Sequence, residues 1–421
     1  ENKNSNLEIN FQNVSNDTYL KIHDISTSLV DDEINIIEKT INYDYQDEDL
    51  FFGATLSAFD DLTVLGNRRY EYLAPYLNLE KKLLTSEKYG LFNLDSKLRV
   101  RNYQVNKQTE FFVNDINWKS NKWINKIGLE NQLEGKFKTV NYNAKNSTEY
   151  KTDTTTSELS GAIAYLAKLG LFKNDNNLKK NYLLTPKLYL RYAPGHMRRV
   201  ESGKLKYSNL YEINKINEID VIENGLSATL GVEYEKNSLN SDGSLGNNEF
   251  SFAVGQTISE KTNMDIPSST SLDQKISDMV GQSTYKMNNN INLNYKFSLD
   301  HNYRDFNYNE IGSDVTLGKT KFNISYLEES SHVGNQEYLT SNVDFQFNDS
   351  SSFSFATKRN LLSNSADFYN LSYQYINDCF KAGVLYRREF YTDRDIEPEN
   401  SLMFKITIVP FGNISSPTFS K

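Results

Sequence analysis

The chain predicts an all-β protein, a large antiparallel transmembrane β-barrel of about twenty strands. Three observations lead there. Polar and apolar residues alternate with period two along most of the chain, which places successive side chains on opposite faces of a sheet. Aromatic residues make up 13% of the composition, with 28 Tyr and 24 Phe, and Tyr suits a membrane–water boundary because its ring is apolar while its hydroxyl stays wet. The connections alternate between tight turns and long polar loops, as in a barrel with one short-turned and one long-looped rim.

The clearest segment is 366–411, three consecutive strands that contain the single cysteine. Phe368, Asn370, Ser372 and Gln374 interleave with Tyr369, Leu371, Tyr373 and Tyr375, the turn at Asn377 and Asp378 is tight, and the next connection, Thr392 to Asn400, is long, acidic and carries Pro398. Applied in order from the amino end, period-two runs bounded by turn residues predict strands at 6–14, 35–45, 50–58, 70–80, 90–103, 107–116, 127–142, 157–172, 182–193 and 221–236. Ten more follow at 248–258, 278–287, 290–300, 306–317, 320–328, 338–348, 352–360, 366–377, 380–391 and 401–411. If the final strand ends in the periplasm, the tight turns near Asn289, Lys319, Asp349 and Asn377 all fall on that side. The long connections at 15–34, 143–156, 194–220, 259–277, 329–337 and 392–400 then all fall outside. Only the 237–247 connection, NSLNSDGSLGN, is longer than a periplasmic turn should be.

Composition removes several classes. No apolar run reaches the ~20 residues of a membrane helix, and the mean hydropathy is −0.63; a barrel tolerates that polarity because its lumen and loops are hydrophilic. The texture is uniform and shows no solenoid or propeller repeat, so 1–421 is expected to be one sheet-built barrel domain. A net charge of −9 argues against a nucleic-acid partner. One cysteine cannot form an internal disulfide or a thiolate metal cluster. The chain begins ENKNSNLEINF, without Met or a signal peptide, and reads as a mature product or a fragment.

Few residues invite chemistry. His23, His196, His301 and His332 lie in or beside predicted loops, and no metalloprotease, nucleophile-elbow, phosphate-loop or dinucleotide motif is present. His301 with Asp305 near a loop tip could serve an outer-membrane hydrolase, but ordinary polar loop residues are the simpler reading, so no catalytic residue, metal or cofactor is assigned. The loop PGHMRRVESGKLKY clusters Arg198, Arg199, Lys204 and Lys206, which could meet lipid-headgroup phosphates or simply be solvated. Asp393, Asp395, Glu397 and Glu399 could share divalent cations with surface lipids, although their spacing is wrong for a tight calcium loop. Pro410, inside the last strand, removes a hydrogen-bond donor and would weaken a seam, unless it merely ends the strand.

Six stretches, in order, resemble the LptD family of lipopolysaccharide (LPS) assembly proteins, the organic-solvent-tolerance family, in an alphaproteobacterial style. They are FQNVSNDTYL (11–20), LTPKLYLRYAPGHM (184–197), GLSATLGVEYEK (225–236), FSFAVGQTI (250–258), SLDQKISDMVGQ (271–282) and YQYINDCFKAGVLYRREFYTDRD (373–395). The resemblance implies the C-terminal portion of a larger barrel in the outer membrane of a Gram-negative bacterium, with an N-terminal periplasmic jellyroll and early strands absent from this chain. It implies a non-enzymatic role in membrane biogenesis: LPS is received from periplasmic bridge proteins through the jellyroll and released into the outer leaflet through the lumen and a lateral gate. LPS is then the cargo, outer-membrane lipids the surroundings, and an LptE-type lipoprotein plug the partner. Such a piece is expected neither to close nor to transport alone, its strand edges being open. Cys379 resembles the family's C-terminal cysteine region and becomes a disulfide candidate, although the second family cysteine is Phe380 here. Strand 401–411 resembles the last, gate-forming strand, which makes Met403, Lys405, Thr407, Val409 and Pro410 lateral-gate candidates. A general porin or nutrient-uptake barrel, closing and conducting small solutes without a partner, is the alternative. An outer-membrane hydrolase built on His301 or His196 is a second, and a secreted β-adhesin a third.

Overall fold

A computed structural model describes residues 4–18, 35–147, 150–152, 154–175, 177–240, 245–287, 290–377, 380–390, 400–408, 412–415 and 419–420. Strands β1 (Ser5–Asn10), β2 (Ile36–Gln46), β3 (Leu50–Asp61), β4 (Tyr70–Ser86), β5 (Gly90–Tyr103), β6 (Lys107–Lys119), β7 (Trp123–Ile124) and β8 (Leu129–Lys145) lead into β9 (Thr156–Leu169), β10 (Leu171–Asp175), β11 (Lys180–Ala193) and β12 (Gly225–Leu239). Then come β13 (Leu245–Ser259), β14 (Met279–Met287), β15 (Ile291–Leu299), β16 (Phe306–Leu317), β17 (Thr320–Glu329), β18 (Gln336–Asn348), β19 (Ser351–Asn360) and β20 (Ser365–Ile376). The last are β21 (Phe380–Glu389), β22 (Asn400–Ile408), β23 (Gly412–Ser415) and β24 (Phe419–Ser420). All belong to one sheet of 24 strands, a nearly all-β, outer-membrane-barrel type of architecture. Successive long strands pair antiparallel, for example β6 with β8 and β9 with β11, while β7 and β10 are short side branches on β8 and β11. Both β23 and β24 pair with the outer edge of β22. Among the described residues no ladder joins β1 to these last strands.

Each expected strand overlaps one long strand, but several boundaries move, β1 ending at Asn10 and β4 running on to Ser86 among them. The 157–172 run divides after Leu169, and β10 adds to β11. The run at 221–236 starts as strand only at Gly225, whose φ of +105° turns the chain; Val221 and Ile222 are buried in loop packing instead. The over-long 237–247 connection shrinks to 240–244, because β12 and β13 continue pairing through a register irregularity to Leu239 and Leu245.

Register explains how a polar chain presents an apolar surface. Met287, Ile291, Val315, Phe322, Val343, Phe355, Leu371, Tyr386 and Leu402 are successive cross-strand partners from β14 to β22. One residue away, the partners are Lys286, Asn292, Asp314, Asn323, Asn342, Ala356, Asn370, Arg387 and Ser401. A single step along these strands therefore exchanges an apolar outer row for an inner row that is polar at every position but Ala356. Leu7, Tyr43, Ala54, Leu77, Leu98 and Phe112 continue the outer row from β1 to β6. Phe112 is 46% exposed, whereas its neighbour Phe111, on the inner face, is 1% exposed. Large exposed apolar side chains on most strands would be a solubility fault in water and are the expected surface in hydrocarbon.

The connections alternate in length around this sheet. Turns at 47–49, 87–89, 318–319 and 349–350 are short, whereas 194–224, 260–278 and 330–335 lie on the opposite rim.

Candidate functional site

The two longest fully described connections, 194–224 and 260–278, fold onto the inner face of the sheet and share an apolar core. Val200, Leu205, Tyr207, Leu210, Ile216, Val221, Ile266 and Leu272 pack there against Ala253 of β13 and Val280 of β14. A second cluster seats Ile213 and Ile222 on Ala162 and Ala193. Two facing glycines make room. Gly231 and Gly255 are register partners, and a Cβ on Gly231 would stand 2.1 Å from Tyr211 Oη, one on Gly255 2.5 Å from Leu210 Cδ2. Tyr207 and Tyr211 meet edge to face, with centroids 5.8 Å apart. Burial pushes the Tyr207 hydroxyl well above its ordinary range and that of Tyr211 to about 12, so both stay protonated, and Tyr207 Oη donates to Glu233 Oε1 at 2.9 Å.

Buried charges fasten this assembly. Arg191, Lys215 and Glu223 are each at most 2% exposed. Lys215 Nζ lies 3.5 Å and Arg191 Nη1 3.7 Å from Glu223 Oε1, while Arg191 Nε donates to Ile213 O at 2.6 Å and Nη2 donates to the Glu223 carbonyl. Burial lowers Lys215 below the usual ammonium range despite the attraction of Glu223. For Glu223, burial acts upward, but the two cations hold the carboxyl below its ordinary value. Lys138, 1% exposed, bridges Asp115 Oδ1 at 2.8 Å and Ile219 O at 2.5 Å, tying β8 to the same loop.

The residues singled out in the sequence separate into distinct environments. Arg198 is already paired: Nε donates to Glu158 Oε2 at 2.8 Å, Nη1 to Asp220 Oδ2 at 2.9 Å, and its guanidinium lies 5.1 Å from the ring centroids of both Tyr142 and Tyr150. Lys204 is ion-paired with the buried Glu329 of β17. Arg199 and Lys206 are exposed. His196 lines a cleft of about 430 Å³ with Glu158, Met197, Arg198 and Asp220. His301 Nδ1 is 3.0 Å from Asp300 Oδ1, rather than engaging Asp305, whose carbonyl accepts from the Asp300 amide. Met403, Lys405 and Thr407 lie on β22, paired with Leu385, Gly383 and Lys381 of β21. Cys379, Val409, Pro410 and the acidic group Asp393, Asp395, Glu397 and Glu399 lie outside the described residues, as does His23.

Sequence reading missed the buried charges. Arg191 stands at the inward parity shared by Tyr189, and that position opposite a long loop was the available signal. It also missed Asp278, which is 2% exposed and accepts from Ser298 Oγ and Asn307 Nδ2, each at 2.9 Å, with His332 Nε2 3.1 Å from the same oxygen. The Asp278 contact raises His332 above its ordinary value against the opposing effect of burial. Ser298 Oγ donates its hydrogen bond to the carboxylate rather than to an imidazole, so this arrangement is not the serine-to-imidazole relay of a nucleophilic hydrolase.

Comparison with known proteins supplies the decisive observation: the family model described as LptD, LPS transport system D, matches residues 2–351. The chain belongs to the LptD family. The match covers five of the six resembling stretches completely and ends before 373–395. Family membership makes this a component of LPS transport at the outer membrane, with LPS as cargo. No curated protein matches the chain. Among solved structures, a mutant ferric enterobactin receptor (PfeA) from Pseudomonas aeruginosa is 8% identical, with a TM-score of 0.39 over 90% of this chain and 71% of that one. The copper transporter OprC is 8% identical, with a TM-score of 0.35 over 91% and 71%. A Rh. blastica porin mutant is 10% identical, with a TM-score of 0.27 over 64% and 87%.

Proposed function

We propose that this LptD-family barrel passes LPS through its lumen and a lateral gate into the outer leaflet, without enzymatic chemistry. The observation that carries the reading is the family match over 2–351. The two-faced sheet supports it physically: the polar inner row suits the saccharide portion, while the apolar outer row matches the hydrocarbon in which acyl chains travel. The loop assembly at 194–224 and 260–278 occupies the inner face where the saccharide would leave, and acts as the closing element. Arg199 and Lys206, exposed and, among the described residues, without the ion pairs that engage Arg198 and Lys204, are the loop cations assigned to headgroup phosphates. The gate is assigned to Met403, Lys405 and Thr407 of β22, whose free edge is taken up by β23 and β24, together with Val409 and Pro410, which follow β22 in the chain and lie outside the described residues, and Cys379 to a disulfide with a periplasmic domain. An LptE-type plug and periplasmic bridge proteins complete the pathway.

Depleting the full-length protein in its host, while following newly made LPS to the cell surface, tests the reading. Stalled delivery is expected. Undisturbed delivery with altered small-solute uptake would replace it with a porin function. For the gate, Pro410→Ala in the complete protein should slow LPS export and strengthen the seam; unchanged export and seam stability would remove Pro410 from the mechanism.

A further inference from the structure

We propose that Asp278, Asp300 and His301 form a divalent-metal site of the zinc or manganese class, which fastens the 260–278 segment to the turn between β15 and β16. One ligand atom from each residue lies within 4.8 Å of the other two. Ligand atoms around a tetrahedral ion with bonds of ~2.1 Å are separated by roughly 3–3.5 Å, so a small closure of the turn completes the geometry.

The two carboxylates are prepared in the same way. Asp278 Oδ2 is held by Ser298 and Asn307 and approached by His332, whereas its Oδ1 is buried and has no hydrogen-bond partner among the described residues. An anionic oxygen withdrawn from water without a donor is strongly disfavoured, and a cation supplies what is missing. Asp300 Oδ2 accepts from the Asn302 amide at 3.0 Å, leaving Oδ1 beside His301 Nδ1. In both residues one oxygen is fixed by protein donors and the other remains for a ligand, the division found where outer contacts orient metal-binding carboxylates. Asp300 and His301 are half-buried, which gives the ion an entry path.

Donor chemistry selects the metal. Calcium and magnesium require more ligands, all of them oxygen, whereas one imidazole with two carboxylates suits zinc or manganese and leaves a coordination position for water. Lys204–Glu329 and His332–Asp278 already connect neighbouring segments at this rim, so a bound ion would add a metal-dependent fastening to the same assembly.

The test uses the full-length protein extracted from outer membranes, stripped with chelator and titrated calorimetrically with zinc or manganese chloride, with calcium chloride as comparator. One saturable equivalent of zinc or manganese is expected, with calcium at least ~10-fold weaker. His301→Ala and Asp300→Asn should each weaken binding at least ~10-fold while leaving the metal-free protein folded by circular dichroism. Cobalt loading should give visible absorption bands that His301→Ala abolishes. These two positions lie in a partly exposed turn, so they avoid the folding risk of replacing Asp278. Non-saturable binding, or a folded His301→Ala protein with unchanged affinity and cobalt spectrum, would overturn the site.

Discussion

Glu223→Gln would remove the single anion between two buried cations without changing side-chain size. Glu223 Oε1 lies 3.5 Å from Lys215 Nζ and 3.7 Å from Arg191 Nη1. At an effective dielectric of ~20, each contact is worth roughly 4–5 kcal/mol before desolvation. The relieved cost of burying the carboxylate offsets part of that sum, so the expected loss is about 3–5 kcal/mol, the range for breaking a buried pair. Lys215, already lowered by burial, can release its proton and hold the loss towards the lower end. A loss of ~3 kcal/mol raises the open population of 194–224 about 10²-fold, read as an equal rise in its proteolytic cleavage when reclosing is fast. Lys215→Met leaves Arg191 opposite Glu223 and should cost less. The double variant should recover at least ~1 kcal/mol relative to additivity. A Glu223→Gln increase in cleavage below ~5-fold, or strict additivity, would refute the claim that this triad fastens the loop.

The outer row predicts that Leu371→Arg, if it faces the hydrocarbon midplane, lowers barrel stability in lipid by about 2–4 kcal/mol, measured by urea titration in vesicles, whereas Asn342→Arg on the inner row costs less than ~1 kcal/mol; equal losses would contradict the assigned faces. Gly231→Ala should loosen the loop by about 1–3 kcal/mol, because its Cβ would meet Val254 O at 2.5 Å as well as Tyr211; hydrogen exchange across 207–216 reports this. The carboxyl of Glu223 is held below its ordinary 4.5 in the folded state, so its contribution is fully present above the unfolded value and lost as pH falls through the lower folded one. Exchange protection of 194–224 should therefore decline with acidification below about pH 4.5, and the Glu223→Gln protein should lack that component.

Period two was sufficient to expose the strand architecture, because each strand carries its own record of which residues meet lipid and which meet the lumen. Tyr369, Leu371, Tyr373 and Tyr375 against Asn370, Ser372 and Gln374 declare two faces before any partner is known. The family resemblance was likewise present in local stretches, five of which fall fully inside the matched region. Loop packing was less legible. The apolar residues Val221 and Ile222 suggested a strand extension, yet they are buried in loop cores because their partners lie on 162, 193 and the 194–224 segment. Arg198 and Lys204 look like free cations in PGHMRRVESGKLKY; their carboxylate partners Glu158 and Glu329 are 40 and 125 residues distant.

The sequence by itself determined the all-β class, the order of the long strands and their two-faced character, since alternation and turn chemistry act between neighbouring residues, and its local stretches carried the resemblance to the LptD family. Only the tertiary structure decided that Arg191, Lys215 and Glu223 share one buried site, that Gly231 and Gly255 form the seat for Tyr211, and that Asp278 meets Asp300, His301 and His332. Those juxtapositions depend on register and on how two long loops return to the sheet, and the electrostatic energy of a charge depends on the distant neighbour that finally faces it.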